Sequence, residues 1–125
     1  MNSNNQILQF DDKCVIIKIR DSRPDVFNRV RRCWKMDIIR ARQADYVLAV
    51  IIGRIVGVYK PEEWYVTFQD NECNKCIKCE NKPCNGKRIG FNGNEAEVAI
   101  QKKYLHKYLP DSFMKPGPGA IRYTY

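Results

Sequence analysis

The apolar positions of this chain fall mostly in short, strand-like runs. Cys14-Val-Ile-Ile-Lys-Ile19 is rich in β-branched residues and reads as a strand. Tyr46-Val-Leu-Ala-Val-Ile-Ile52 is continuously apolar, the pattern of a buried strand. Gly53-Arg54 offers a two-residue turn with Gly first, which predicts a type II′ hairpin returning through Ile55-Val-Gly-Val-Tyr59. Pro61-Glu-Glu-Trp64 is expected to break that strand before Tyr65-Val-Thr-Phe68. Lys87-Arg-Ile-Gly-Phe91 predicts a further strand, Asn92-Gly93 a turn after it, and Ile121-Arg-Tyr-Thr-Tyr125 a last strand.

Helix signals are fewer. Asp21-Ser-Arg-Pro-Asp25 holds an N-cap candidate, an early Pro and an acid for the first turn, so a short helix is expected from Pro24 toward Arg31. Cys33-Trp-Lys-Met36 reads as an extended link, and Asp37 is placed to cap a second short helix through Arg42. Asn94 followed by Glu97 resembles a capping box. The helix it opens is expected to run to about Tyr108 with Val98 and Leu105 facing inward, and Pro110 to end it by disfavouring the α conformation at Leu109. Lys115-Pro-Gly-Pro-Gly119 is a loop. The first 12 residues are polar and expected to fray, leaving residues 13–125 as a single domain. The fold class is α+β, and a small mixed or antiparallel β-barrel flanked by short helices is the natural way to hide the sheet edges.

Composition fits that reading. The chain has 125 residues, 44% hydrophobic and 29% charged, enough for one domain with a real core. Its longest apolar run is far short of the roughly 20 residues that cross a bilayer, so no membrane span is expected. Met1-Asn-Ser-Asn-Asn-Gln6 lacks a basic or apolar leader pattern, which points to a cytoplasmic, reducing setting.

Charge narrows the partners. Lys and Arg number 22 against 14 Asp and Glu, a formal net charge of +8. Between Lys18 and Arg42 nine bases face three acids, and most of the bases are Arg, which forks two hydrogen bonds onto a phosphate or a guanine edge. Such a surplus favours polyanions, nucleic acid among them.

The cysteines carry the most specific chemistry. Four of the six lie in Cys73-Asn-Lys-Cys76-Ile-Lys-Cys79-Glu-Asn-Lys-Pro-Cys84, within a segment 70–87 that lies between two predicted strands. In a reducing compartment, overlapping C-x2-C units bring thiolates onto one ion, and a tetrahedral zinc accepts an all-cysteine shell. Lys75, Lys78, Lys82, Lys87 and Arg88 offset the charge of about −2 on a zinc tetrathiolate and favour the thiolates. The spacing also matches the start of an iron–sulfur run, although the fourth cysteine comes one residue late and Pro83 precedes it. Free thiols or disulfides are the remaining reading. Cys14 is expected to pack as a small hydrophobe. Cys33 lies beside Trp34 with no general base nearby in sequence. His106 has no second His to join it, and Glu62 and Glu63 would face opposite sides of a strand. No Walker loop, dinucleotide fingerprint or H-E-x-x-H is present.

An ordered set of motifs adds a resemblance. Arg32-Cys-Trp-Lys35, Ala44-Asp-Tyr-Val-Leu-Ala-Val50, Gly53-Arg-Ile-Val-Gly-Val-Tyr59 with Trp64, Lys87-Arg-Ile-Gly-Phe-Asn-Gly93, Lys103-Tyr-Leu105 and Ile121-Arg-Tyr123 are similar to those of a family of small, mostly uncharacterised bacterial proteins. That family resembles the PUA-like group, which includes EVE, ASCH and YTH domains. The likeness covers residues 13–125 apart from the cysteine loop. It implies a mixed barrel with short helices that binds RNA, or DNA carrying a modified base, often holding an extruded base in an aromatic-lined pocket. No base-contacting residue carries over individually. From the residues themselves, Arg31, Arg32, Trp34 and Lys35 combine an aromatic with cations, as a stacking platform requires, against the alternative that Trp34 anchors the link to the barrel. Trp64 is read as a pocket wall or core, and Arg88 and Arg122 as phosphate contacts or solvated strand residues. The expectation is a non-catalytic nucleic-acid-binding module with structural zinc on Cys73, Cys76, Cys79 and Cys84. A protein-interaction adaptor docking through the zinc loop and an iron–sulfur redox protein are the alternatives.

Overall fold

The computed structural model describes residues 8–20, 25–31, 34–66, 88–114 and 120–125. The cysteine loop with Cys73, Cys76, Cys79 and Cys84, the Pro/Gly tract, Arg32 and Cys33 lie outside the described residues. Six strands lie among the described residues: β1 (Cys14–Lys18), β2 (Trp34–Lys35), β3 (Tyr46–Ile51), β4 (Arg54–Val66), β5 (Arg88–Glu95) and β6 (Ile121–Tyr123). Three short α-helices accompany them: α1 (Val26–Val30), α2 (Ile38–Ala41) and α3 (Val98–Tyr104). The strands form one mixed sheet in the order β2-β5-β4-β3-β1-β6, nearly closed into a barrel. Only β1 and β3 run parallel. This nearly closed sheet with few helices is consistent with the small barrel expected from the strand-rich pattern. Among the described residues no helix is long and apolar enough to cross a membrane.

The continuous apolar runs are explained by burial on both faces. Val15 and Ile17 of β1 and Val47 and Ala49 of β3 point into one core with Trp34, Tyr59, Trp64, Ile89 and Phe91. Their neighbours Cys14, Ile16, Tyr46, Leu48 and Val50 point the other way, into a second core with Ile55, Val58 and Tyr104 of α3. A strand alternates its side chains, so a run apolar at every position needs cover on each side. Phe10 extends the second core, its ring 5.5 Å from that of Tyr104 and 5.4 Å from that of Phe113.

Both helix caps near the N-terminus are carboxylates. Asp25 Oδ1 accepts from the Asn28 amide, making Asp25 the cap of α1 rather than an acid inside its first turn. Asp37 Oδ1 accepts from the Ile39 amide and starts α2, as expected. Arg40 of α2 then stacks over Tyr123, 3.8 Å from the ring centroid, and donates to the Tyr125 carbonyl. Tyr125 Oη donates back to the Arg40 carbonyl at 2.5 Å. These contacts tie the helix that follows edge strand β2 to the opposite edge strand β6.

Several expectations are corrected. The hairpin turn is Ile52-Gly53, one residue earlier than expected: Ile51 pairs with Arg54, and φ is 48° at Ile52 and 77° at Gly53. Two positive φ values make it a type I′ turn, whose twist matches the strands. Pro61 does not break β4. The register slips between Pro61 and Glu63, so Glu62 is an extra residue, and a bulge accommodates a residue without an N–H. Asn92-Gly93 is not a turn but sits opposite this bulge inside β5. A Cβ at position 93 would collide with the Lys60 carbonyl oxygen, so glycine permits the close approach. Asn94 does not cap α3, because its Nδ2 donates to Glu62 Oε1. The N-cap is Glu97, with no side-chain cap bond. The helix ends at Tyr104, well before Pro110, as His106 turns to φ 69° and residues 106–109 pair with the start of β4. Val98 is 66% exposed rather than inward, Leu105 is half-buried, and Tyr104 is the buried anchor.

Candidate nucleic-acid interface

Pairing of β2 with β5 sorts four residues between two faces. Trp34 lies opposite Ile89, both in the barrel core, and Lys35 lies opposite Arg88 on the other face. The register therefore sets two cationic residues directly opposite each other on this edge of the sheet. Arg31 is held at the same edge. Its carbonyl accepts from the Phe91 amide at 2.7 Å, and its Nε donates to Asn28 Oδ1 at 2.8 Å. Its guanidinium carbon is 5.7 Å from the Phe27 ring centroid. Arg29, also on α1, has a buried Nε with no hydrogen-bond partner among the described residues.

On the core face of the sheet lies an aromatic chain that links distant segments. Phe27 meets Tyr59 at 5.1 Å and Phe91 at 6.1 Å between centroids, and Phe91 meets Trp64 at 5.1 Å. Trp64 is 6% exposed and Trp34 7%, with the Trp34 indole N–H donating to the Val30 carbonyl at 2.7 Å. Trp34 is thus placed as the anchor of the link to the barrel, and Trp64 as core. A ring so covered offers no open face on which a base could stack. Burial pushes the Tyr59 phenol up to about 12, so it stays neutral at any ordinary pH.

Of the residues singled out in the sequence, the structure brings Arg31, Trp34, Lys35, Trp64 and Arg88 to one end of the barrel. Arg122 is elsewhere, on edge strand β6 opposite Ile16. It stands close enough to Lys18 that its charge, after burial, helps push the Lys18 ammonium below its ordinary value.

No family model, curated protein or solved structure matches this chain. Among the described residues no group of three or more His, Cys, Asp or Glu is placed to hold a metal, and the four loop cysteines fall outside that set. Cys14 is fully buried, and burial raises its thiol to about 12, as befits a packing residue rather than a nucleophile. His106 is exposed beyond the end of α3.

Sequence reasoning missed Arg40, Tyr123 and Tyr125. Tyr123 ends β6 and Tyr125 follows two residues later, but nothing in the sequence links them to Arg40, 85 positions from Tyr125. It also missed Phe27 and Tyr59, whose aromatic contacts arise only when α1 caps the barrel.

Proposed function

We propose that this chain is a non-catalytic nucleic-acid-binding module, with RNA or modified-base DNA as its target and a structural zinc on Cys73, Cys76, Cys79 and Cys84. The observation that carries the reading is the cross-strand pair Lys35–Arg88 with Arg31 on the same edge. Three cationic residues from separate parts of the chain are carried on this one edge, and a phosphate backbone is a polyanion of complementary charge. The net charge of +8 adds long-range attraction. Arg32 continues the run in sequence. The resemblance to PUA-like domains supports the same class of target. Zinc is supported by the C-x2-C-x2-C-x4-C spacing and its flanking lysines.

The test is binding to single-stranded RNA, plain duplex DNA and duplex DNA with modified cytosine or adenine, each at two salt concentrations. A double variant, Lys35→Gln with Arg88→Gln, is compared with the native chain. For every phosphate that the variant no longer neutralises, the slope of log affinity against log salt should fall by about one. The double variant is expected to bind the preferred member more weakly and with a shallower slope. An unchanged slope would remove this edge from the interface. Weak native binding to every member that vanishes with salt would favour the adaptor instead.

A further inference from the structure

The turn joining β3 to β4 is the most exposed apolar point among the described residues. Ile52 is 89% exposed and held at φ 48°, a left-handed conformation poorly suited to a β-branched residue. Met114, 43% exposed, has its Sδ and Cε against Gly53, and Tyr108, 66% exposed, is bridged to Arg54. These are three of the five large apolar side chains exposed among the described residues, and all three surround one two-residue turn. Arg54 and Lys107 are exposed beside them, held by the Ile55 amide donating to the Lys107 carbonyl. Lys18, level with Val50 in the strand register, adds a cation at the same end of the sheet. The one acid on the 106–114 segment is Asp111.

We propose that Ile52 is an apolar wedge that enters between stacked base pairs of duplex DNA, with Arg54 and Lys107 on the flanking phosphates. The inference rests on the nucleic-acid reading and adds a contact at the other end of β4 from Lys35 and Arg88. The strain at Ile52 is offset by no burial among the described residues, and a partner that buries the side chain supplies the missing gain. A duplex has the complementary make-up: an apolar stack between two anionic rails, into which proteins insert Ile, Leu, Met or Phe. A second copy meeting tip to tip would set Arg54 against Arg54.

The experiment uses the full chain and a duplex carrying 2-aminopurine, whose fluorescence rises when its stacking is broken. The native chain is expected to raise the fluorescence on binding. Ile52→Asn is expected to fold with an equal or higher melting temperature, since Asn-Gly suits a type I′ turn, yet to bind about tenfold more weakly and leave the base stacked. Val98→Gln, which changes another exposed apolar residue on α3, should behave as native. Duplex binding by the native chain with no fluorescence rise, or a rise retained in Ile52→Asn, overturns the wedge and leaves the nucleic-acid reading standing. Binding to single-stranded RNA alone does the same. Binding to no nucleic acid overturns both. An Ile52-dependent dimer in sedimentation without DNA would assign the tip to self-association and overturn the wedge.

Discussion

Tyr104 shows how one buried residue organises a polar network at the edge of a core. It is fully buried, and its hydroxyl donates to Asp12 Oδ2 at 2.6 Å while accepting from the Asp11 amide at 3.3 Å. Lys103 Nζ reaches the same Asp12 oxygen at 3.1 Å. The Tyr104 hydrogen bond, followed by Lys103, holds the Asp12 carboxyl below its ordinary 3.8, against the opposing effect of burial. A carboxyl lowered on folding stabilises the fold above the unfolded value, and that contribution is lost as pH falls through the folded value. Tyr104→Phe is therefore expected to cost about 1–2 kcal/mol at neutral pH, measured by urea unfolding. The gap from native should narrow well below pH 3.8, once Asp12 is protonated in both proteins. A constant gap would mean the hydroxyl acts by packing alone. In this network the sequence showed only a capable helix, because Asp12 and Tyr104 are 92 positions apart.

At the scale of elements, bulges decide what local signals mean. Asn-Gly is a strong turn signal when flanked by short strands, and Pro is a strong strand breaker. Here each is reinterpreted by its partner across the sheet: Pro61 is tolerated because Glu62 bulges, and Gly93 is needed because the bulged chain crosses it closely. Gly93→Ala is expected to destabilise by about 1–3 kcal/mol, since backbone and not a flexible side chain blocks the new methyl. Asn92→Ala, at an exposed neighbouring position, should change thermal unfolding little. Equal effects at both positions would place the strain elsewhere. A second bulge in the β3–β4 pairing makes Val56 the extra residue, so that Val50 and Ile55 share the second core. By contrast, the caps of α1 and α2 were readable in sequence to within a few residues, because an Asp that caps the amide two or three positions on is a local event.

For the whole molecule, the question is how the cysteine loop joins β4 to β5. These two strands make the longest pairing of the sheet, from Tyr59 opposite Glu95 to Val66 opposite Ile89, and the loop spans their ends. If zinc closes that connection, metal binding adds to folding free energy. The purified chain is expected to be colourless with stoichiometric zinc. Removing the metal with a strong chelator should lower the melting temperature, and Cys76→Ser should lose the metal. Brown protein that bleaches on reduction would instead identify an iron–sulfur cluster.

By itself, the sequence determined the strands β1, β3 and β6, the two short helices α1 and α2, the strand-rich class and the positive charge. Each depends on residues near one another in the chain: β-branched runs, a cap and the amides it accepts from, a count of ionised groups. Only the tertiary structure decided that Trp34 and Trp64 are core, that Lys35 and Arg88 confront each other across a sheet edge, and that Arg40 seals α2 onto the far edge strand. Those outcomes depend on register. A shift of one residue in pairing exchanges the inner and outer faces of a strand, and bulges introduce such shifts at places that no local pattern marks.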